Sequence, residues 1–449
     1  MPRLLRLFLS AILCTASVFA AAAQPNKWVA TWAASAHGPY PVGNPSAQPE
    51  QKFAFPVPAN GADDQTLRLI VKPDLWGSQM RLRFSNVHGS KPLVIDAAYV
   101  GLQATAGNLV RGTNSPVTFA GGKHSLTVAP GELAWSDAVK LPFAKSAAPL
   151  ALAGRKLAVS FHVVGTSGPM TWHAKALQTS YVSPPKSGAL GHKLSDENFP
   201  YSTASWFFLD AVDVMAPADT AVVVCFGDSI TDGTGTTMNG DDRWPDVLSR
   251  RLHEAYGARV SVVNAGIGGN RVVGPADYAT TPIGGGPGSL DRLDRDVLKL
   301  SGVTSVIWME GINDFGAADT SAEAVIDGIR EGVKRMHAGG IKPVIGATLT
   351  SALNSTIASH GRAVVDEKRK ALNSFVRSPG SFDAVVDFDA VTLDSTTGEI
   401  LPPFQPNSTT GGPGDKLHPN RAGYAAMAQA IDISLLAPKA QAKRAGTKR

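Results

Sequence analysis

Between Trp28 and about Pro217 the chain alternates apolar and polar positions. In QMRLRFSNV, Met80, Leu82 and Phe84 fall on one face and Arg81, Arg83 and Ser85 on the other, the two-residue period of a strand with one buried face. TLRLIV, LVIDAAYVGL, HSLTVA, KLAVSFHVV and SWFFLDAVDV read as further strands, most of them separated by Gly, Pro, Asn or Ser clusters. Many short strands with turn signals between them predict an all-β sandwich or jelly-roll-like domain over residues 24–216.

After MAPADT (Met215 to Thr220) the period changes. Ala221–Phe226 is a fully apolar run, and RWPDVLSRRLHEAY places Trp244, Val247, Leu248, Leu252 and Ala255 at helical spacing, with Pro245 in the first turn. RVSVVN, VTSVIWM, KPVIGATL and DAVVDF read as strands. Between and after them come helices marked by Leu290, Leu293, Val297 and Leu300, by AEAVIDGIREGVKRMHAGG, by Arg362 to Val376, and by NRAGYAAMAQAIDISLL. Strand and helix in alternation predict a doubly wound parallel sheet over residues 217–437, with ligands beyond the carboxyl ends of its strands.

Composition alters this picture mainly at the two ends. Arg3 and Arg6, the apolar run Leu7 to Ala20 and the small residues Ala21 to Ala23 have the order of a signal peptide, residues 1–23, with a secreted or periplasmic mature protein. The run is shorter than the roughly 20 residues a spanning helix needs, and no later segment is long and apolar enough, so no stable membrane insertion is expected. Cleavage removes Cys14 and leaves Cys225 alone, which excludes an internal disulfide. The formal charge of +5 also comes from the ends. Without Arg3, Arg6 and the five basic residues of the tail 438–449, which reads as disordered, 35 basic residues face 37 acidic ones. A near-neutral body gives no support for nucleic-acid binding.

Candidate chemistry sits where apolar runs stop. Ala221–Phe226 ends in Gly227-Asp228-Ser229, RVSVVN runs into NAGIGGNR (Asn264 to Arg271), and VTSVIWM ends in EGIND (Glu310 to Asp314). GDKLHPNRAG, with Asp415 and His418 three apart, precedes the last helix. Each piece alone is also what a turn or a helix cap uses: Ser229 in a turn, Asn313 and Asp314 or Asp415 and His418 at helix starts. Gathered at one sheet edge they form the inventory of acyl transfer. A serine hydroxyl needs a base, which His418 supplies, and the imidazole needs an orienting carboxylate, which Asp415 supplies. The oxyanion needs fixed donors: the N–H of Ser229, the N–H of Gly269 and the amide of Asn313.

In this order GDSIT (Gly227 to Thr231), NAGIGGN (Asn264 to Asn270), GIND (Gly311 to Asp314) and DKLHPN (Asp415 to Asn420) resemble the four motif blocks of the SGNH or GDSL hydrolases. The resemblance covers about residues 220 to 437. It implies a flavodoxin-like three-layer α/β/α fold and ester hydrolysis without metal or other cofactor. It assigns Ser229 as nucleophile and donor, Gly269 and Asn313 as donors, His418 as base and Asp415 as its acid. Ile230 stands where the commonest form has Leu, a volume-conserving change. TWAAS (Thr31 to Ser35), ahead of a β domain, is similar to a bacterial secreted subfamily related to carbohydrate and aryl esterases.

Other classes fit less well. No G-x-S-x-G is present, and His253-Glu254 is followed by Gly257 where H-E-x-x-H requires histidine. Lipase, lysophospholipase and thioesterase activities use the same triad, and a non-catalytic carbohydrate-binding protein is the alternative from another class. Trp28, Trp32, Trp76, Trp135, Trp172 and Trp206 in the β half suit either core packing or stacking on sugar rings. The loops Val272 to Ser289 and Thr350 to Gly361 hold few bulky apolar residues, so the expected substrates carry acetyl or other short acyl groups, and the resemblance implies carbohydrate or aryl alcohols as their other half.

Overall fold

The computed structural model describes residues 26–45, 48–145 and 150–438. The signal-peptide expectation and all but the first residue of the basic tail lie outside them. Among the described residues no helix is long and apolar enough to cross a membrane.

The first half is built from antiparallel sheets. One contains Asn26–Ala33, Leu209–Pro217, Gln79–Ser85, Leu133–Trp135 and Val139–Lys140. A larger one is centred on Asp63–Val71, Leu157–Thr166 and Leu93–Leu102. They face each other across aromatic contacts such as Phe84–Phe161, whose ring centroids are 5.2 Å apart. A third, small sheet joins Gly38–Pro39, Thr171–His173 and Trp206–Phe207.

Met80, Leu82 and Phe84 are fully buried, as the alternation requires. The opposite face of the same strand is a charged seam against the second half rather than a solvent face. Arg83 pairs with Asp210 at 2.7 Å, and Arg81 pairs with Asp213 at 2.8 Å while donating to Ser301 Oγ at 3.1 Å. The Arg81 guanidinium lies between the rings of Trp28 and Trp135, at 4.7 and 4.2 Å. None of the six tryptophans of this half is exposed, and Trp32, Trp172 and Trp206 are core residues.

The second half is a five-stranded parallel sheet: β1 (Ala221–Gly227), β2 (Val260–Gly266), β3 (Ser305–Met309), β4 (Val344–Ala347) and β5 (Ala384–Val386). Its order, β2-β1-β3-β4-β5, is the flavodoxin-like one, with the switch point between β1 and β3. Helices Trp244–Tyr256, Ala322–Ala338 and Ala363–Arg377 lie near their expected positions.

The expected strand SWFFLDAVDV is split at Phe208 between two sheets, as Trp206–Phe207 and Leu209–Pro217, and three expected elements of the second half differ. The helix marked by Leu290 to Leu300 is α-helical only over Ser289–Leu293 and continues as a wide π turn, Asp294–Leu298, where Asp296 pairs with both Arg292 and Arg295. DAVVDF stops as a strand at Val386, because the Asp387 side chain caps a short helix, Phe388–Thr392. The closing helix ends at Gln429, and Asp432 caps a separate turn, Ile433–Leu436.

The halves share one apolar core, in which Val29 and Trp32 belong with Val222 and Leu252. The chain crosses this seam with main-chain bonds too: Ala30 N–H donates to Ser301 O at 2.8 Å, and Ser261 Oγ donates to Ala30 O at 2.8 Å.

Candidate active site

The site begins where β1 meets its first turn. A Cβ on Gly227 would come within 2.3 Å of Met309 O, so only glycine allows β1 and β3 to close at this edge. Asp228 then caps the short helix Ser229–Asp232 by accepting the Ile230 N–H at 2.9 Å. The backbone turns sharply and Ser229 stands at the carboxyl end of the sheet. Cys225, four residues earlier, is buried in the core, and burial pushes its thiol well above the usual range.

Ser229 Oγ lies 2.8 Å from His418 Nε2. His418 Nδ1 lies 2.6 Å from Asp415 Oδ2. The other oxygen, Asp415 Oδ1, accepts the N–H groups of Leu417 and His418 at 3.0 and 2.9 Å. Burial disfavours the ionised form of Asp415, but the His418 ring and these two amides outweigh it and hold the carboxyl well below the usual carboxylate range. The segment Asp415 to His418 is therefore a self-capped turn that aims one imidazole. It does not cap the last helix, whose cap is Asn420, accepting from Ala422 and Gly423.

The expected oxyanion donors come from three separate strand ends. Gly269 has φ +84°, the left-handed region that favours glycine. Among the described residues neither its N–H nor that of Ser229 has an acceptor. Asn313 Nδ2 donates one hydrogen to Asn270 O at 2.9 Å, which leaves its second hydrogen free. Asp314 does not cap the following helix either. It accepts the N–H groups of Val272 and Val273, each at 2.8 Å, and so ties down the loop after β2. Burial pushes Asp314 up to about 7 in spite of those two donors.

Several residues that motif reading does not reach hold these donors. Asn270 Nδ2 donates to Gly285 O and Pro287 O, both at 2.7 Å, folding the glycine-rich loop back beside Gly269. The buried Arg292 spans three segments: Nη2 donates to Gly227 O at 2.9 Å, Nη1 to Ala265 O at 2.8 Å, and Nε to Asn270 Oδ1 at 2.7 Å. Its Nη1 also reaches Ser35 Oγ of the β half at 3.3 Å.

A second link from the β half runs through Asp232. His173 Nε2 lies 3.1 Å from Asp232 Oδ1, while Asp232 Oδ2 accepts the Gly268 N–H at 2.9 Å. Beside it the buried ammonium of Lys175 donates to Thr234 Oγ1 at 2.7 Å. Tyr278 of the glycine-rich loop donates its hydroxyl to His37 O of the β half.

His360, buried and 3.1 Å from Asn313 Oδ1 through Nε2, is the remaining residue the motifs did not indicate. The only signal available was one histidine in the polar loop TSALNSTIASHG.

A groove of about 230 Å³ opens beside Asp415 and His418. Thr234, Gln405, Asn407, Thr410, Pro413 and glycines line its remaining wall.

Residues 225–426 match the family model described as GDSL-like lipase/acylhydrolase. No curated protein matches the chain. Solved structures similar to it include a carbohydrate acetylesterase family member from Sinorhizobium meliloti, 17% identical, covering 48% of this chain and 99% of that one, with a TM-score of 0.36. An aryl esterase from M. smegmatis is 20% identical and covers 49% of this chain and 100% of its own, with a TM-score of 0.35. A GDSL-like lipase from Bacteroides thetaiotaomicron is 17% identical over 48% of this chain and 88% of its own, with a TM-score of 0.35.

Proposed function

From the premise that residues 225–426 are a GDSL-like acylhydrolase domain, and hence a carboxylic ester hydrolase, we propose that Ser229 is its nucleophile, His418 its base and Asp415 the orienting acid. The observation that carries this reading is the unbroken line of hydrogen bonds from Ser229 Oγ through the imidazole to Asp415, at 2.8 and 2.6 Å.

His418 Nε2 takes the hydroxyl proton as Ser229 Oγ attacks the ester carbonyl. The imidazolium that forms keeps its Nδ1–H on Asp415, which stays ionised. Negative charge develops on the carbonyl oxygen and is met by the N–H of Ser229, the N–H of Gly269 and the free hydrogen of Asn313 Nδ2. Collapse expels the alcohol, which takes the proton from His418. Water, activated by the same imidazole, then releases the acid and restores Ser229.

The proposed substrates are esters of acetyl or other short acyl groups on carbohydrate or aryl alcohols, met outside the cytoplasm after removal of residues 1–23. A buried methylene gains about 0.8 kcal/mol, so a long chain needs a continuous apolar wall. The loops Val272 to Ser289 and Thr350 to Gly361 hold few bulky apolar residues to build one, which favours the short-acyl reading over a lipase, lysophospholipase or thioesterase specific for long chains. A p-nitrophenyl ester series tests it: kcat/KM is expected to peak at acetate to butyrate, and a steady rise from butyrate to palmitate would overturn it.

A further inference from the structure

We propose that His360 is a positioning residue that fixes the amide of Asn313 toward the developing oxyanion. The inference deepens the mechanism above and rests on Asn313 being a donor there.

The argument starts from a carbonyl. Asn270 O can only accept, so the Asn313 atom 2.9 Å from it is Nδ2. Asn313 Oδ1 then faces His360 Nε2 at 3.1 Å, and because Oδ1 can only accept, Nε2 carries the proton. That makes Nδ1 the acceptor, and Ser359 Oγ stands 3.0 Å from it as donor. Both ends of the amide are thus held, and one Nδ2 hydrogen remains free.

The ring has a place prepared for it. A Cβ on Gly316 would lie 2.5 Å from His360 Cδ2, so this glycine, three residues after Asn313 on the same helix face, leaves the space the imidazole occupies. The loop carrying His360 is itself tied to the orienting acid: Thr356 N–H and Ser355 Oγ–H both donate to Asp415 O, at 3.0 and 2.6 Å. One loop therefore braces the orienting acid and an oxyanion donor together. Burial, and then the nearby His418, push His360 down to about 4, so its ring stays neutral beside the imidazolium that His418 becomes during the reaction.

The test is a double-mutant cycle on the full chain, reading kcat, KM and melting temperature for His360→Leu, Asn313→Ala and the double variant. Asn313→Ala is expected to lower kcat by roughly 10²- to 10³-fold. His360→Leu is expected to lower kcat by about 10- to 10²-fold with little change in KM, as for a displaced catalytic group. In the Asn313→Ala background it should cost nothing further. His360→Gln, whose amide N–H can reach Asn313, should recover most of the loss.

Wild-type kcat in folded His360→Leu, or full additivity in the double variant, would overturn the proposal while leaving Asn313 in its role. Wild-type kcat in Asn313→Ala would instead remove the donor reading itself. If His360→Leu does not fold, nitrogen-15 NMR of the wild-type ring decides: a proton on Nε2 at neutral pH is required, and a proton on Nδ1 contradicts it.

Discussion

The two sides of the candidate site are built differently. On the nucleophile side, Asp415 and His418 lie three residues apart and the turn between them orients the ring with its own amides. One long-range hydrogen bond, to Ser229, joins its ring to the nucleophile, and two more, from Ser355 and Thr356, hold its backbone at Asp415 O. On the oxyanion side the two donors beyond Ser229 depend on distant chain. Gly268, next to Gly269, is anchored through Asp232 to His173 of the β half, and Asn313 is anchored to His360. A nucleophile and its base need one line of contact; a binding place for charge needs several donors converging from separate strand ends, and rigidity there must come from elsewhere.

The comparison predicts different signatures for damage on each side. The largest effects belong to the nucleophile side and should leave folding alone. Ser229→Ala should lower kcat by on the order of 10⁶-fold and Asp415→Asn by about 10⁴-fold, with melting temperatures close to wild type. Retained turnover in either folded variant breaks the assignment.

Damage to an oxyanion-side support should instead move activity and stability together. Asp232→Ala leaves the Gly268 N–H and the His173 ring without their acceptor, each buried group costing about 1–3 kcal/mol. It should lower kcat by about tenfold through displacement of the turn and should melt early. A variant that melts early with wild-type kcat would uncouple the β half from the oxyanion turn.

The smallest effect on turnover is expected at Asp314. Burial holds its folded-state value near 7, above the roughly 3.9 of an unfolded aspartate. Between about pH 4 and pH 7 the folded chain then binds the extra proton, so its contribution to stability falls as pH rises through that window. Asp314→Asn should flatten this slope in urea midpoints measured at pH 5 and pH 8. An unchanged slope would mean that the amides of Val272 and Val273 keep Asp314 ionised throughout.

The same contrast explains what could be read from the chain. Largely apolar runs ending at Gly227, Gly266 and Met309 mark parallel strands because a sheet covered on both faces needs them. Ser229, Gly269, Asn313, Asp415 and His418 stand in short blocks at those edges, so their convergence follows from the topology. His173, Asp232, Arg292 and His360 carry no such local mark. Asp232 looks like one more helix residue, Arg292 like a surface charge, and His360 like a loop histidine. Their roles arise from pairings across the chain, such as Arg292 with Ser35, that no periodicity encodes. The polar face of QMRLRFSNV was misleading for the same reason: Arg81 and Arg83 find their partners in Asp213 and Asp210, not in water.

The most direct measurement is covalent labelling of the intact protein with a p-nitrophenyl alkylphosphonate, a mimic of the tetrahedral intermediate that needs nucleophile and oxyanion donors together. One equivalent of p-nitrophenolate per chain and a single adduct on the peptide containing Ser229 are predicted, with hydrolytic activity lost in step. Labelling at another residue, or full ester hydrolysis by a protein whose Ser229 stays unmodified, would contradict the account.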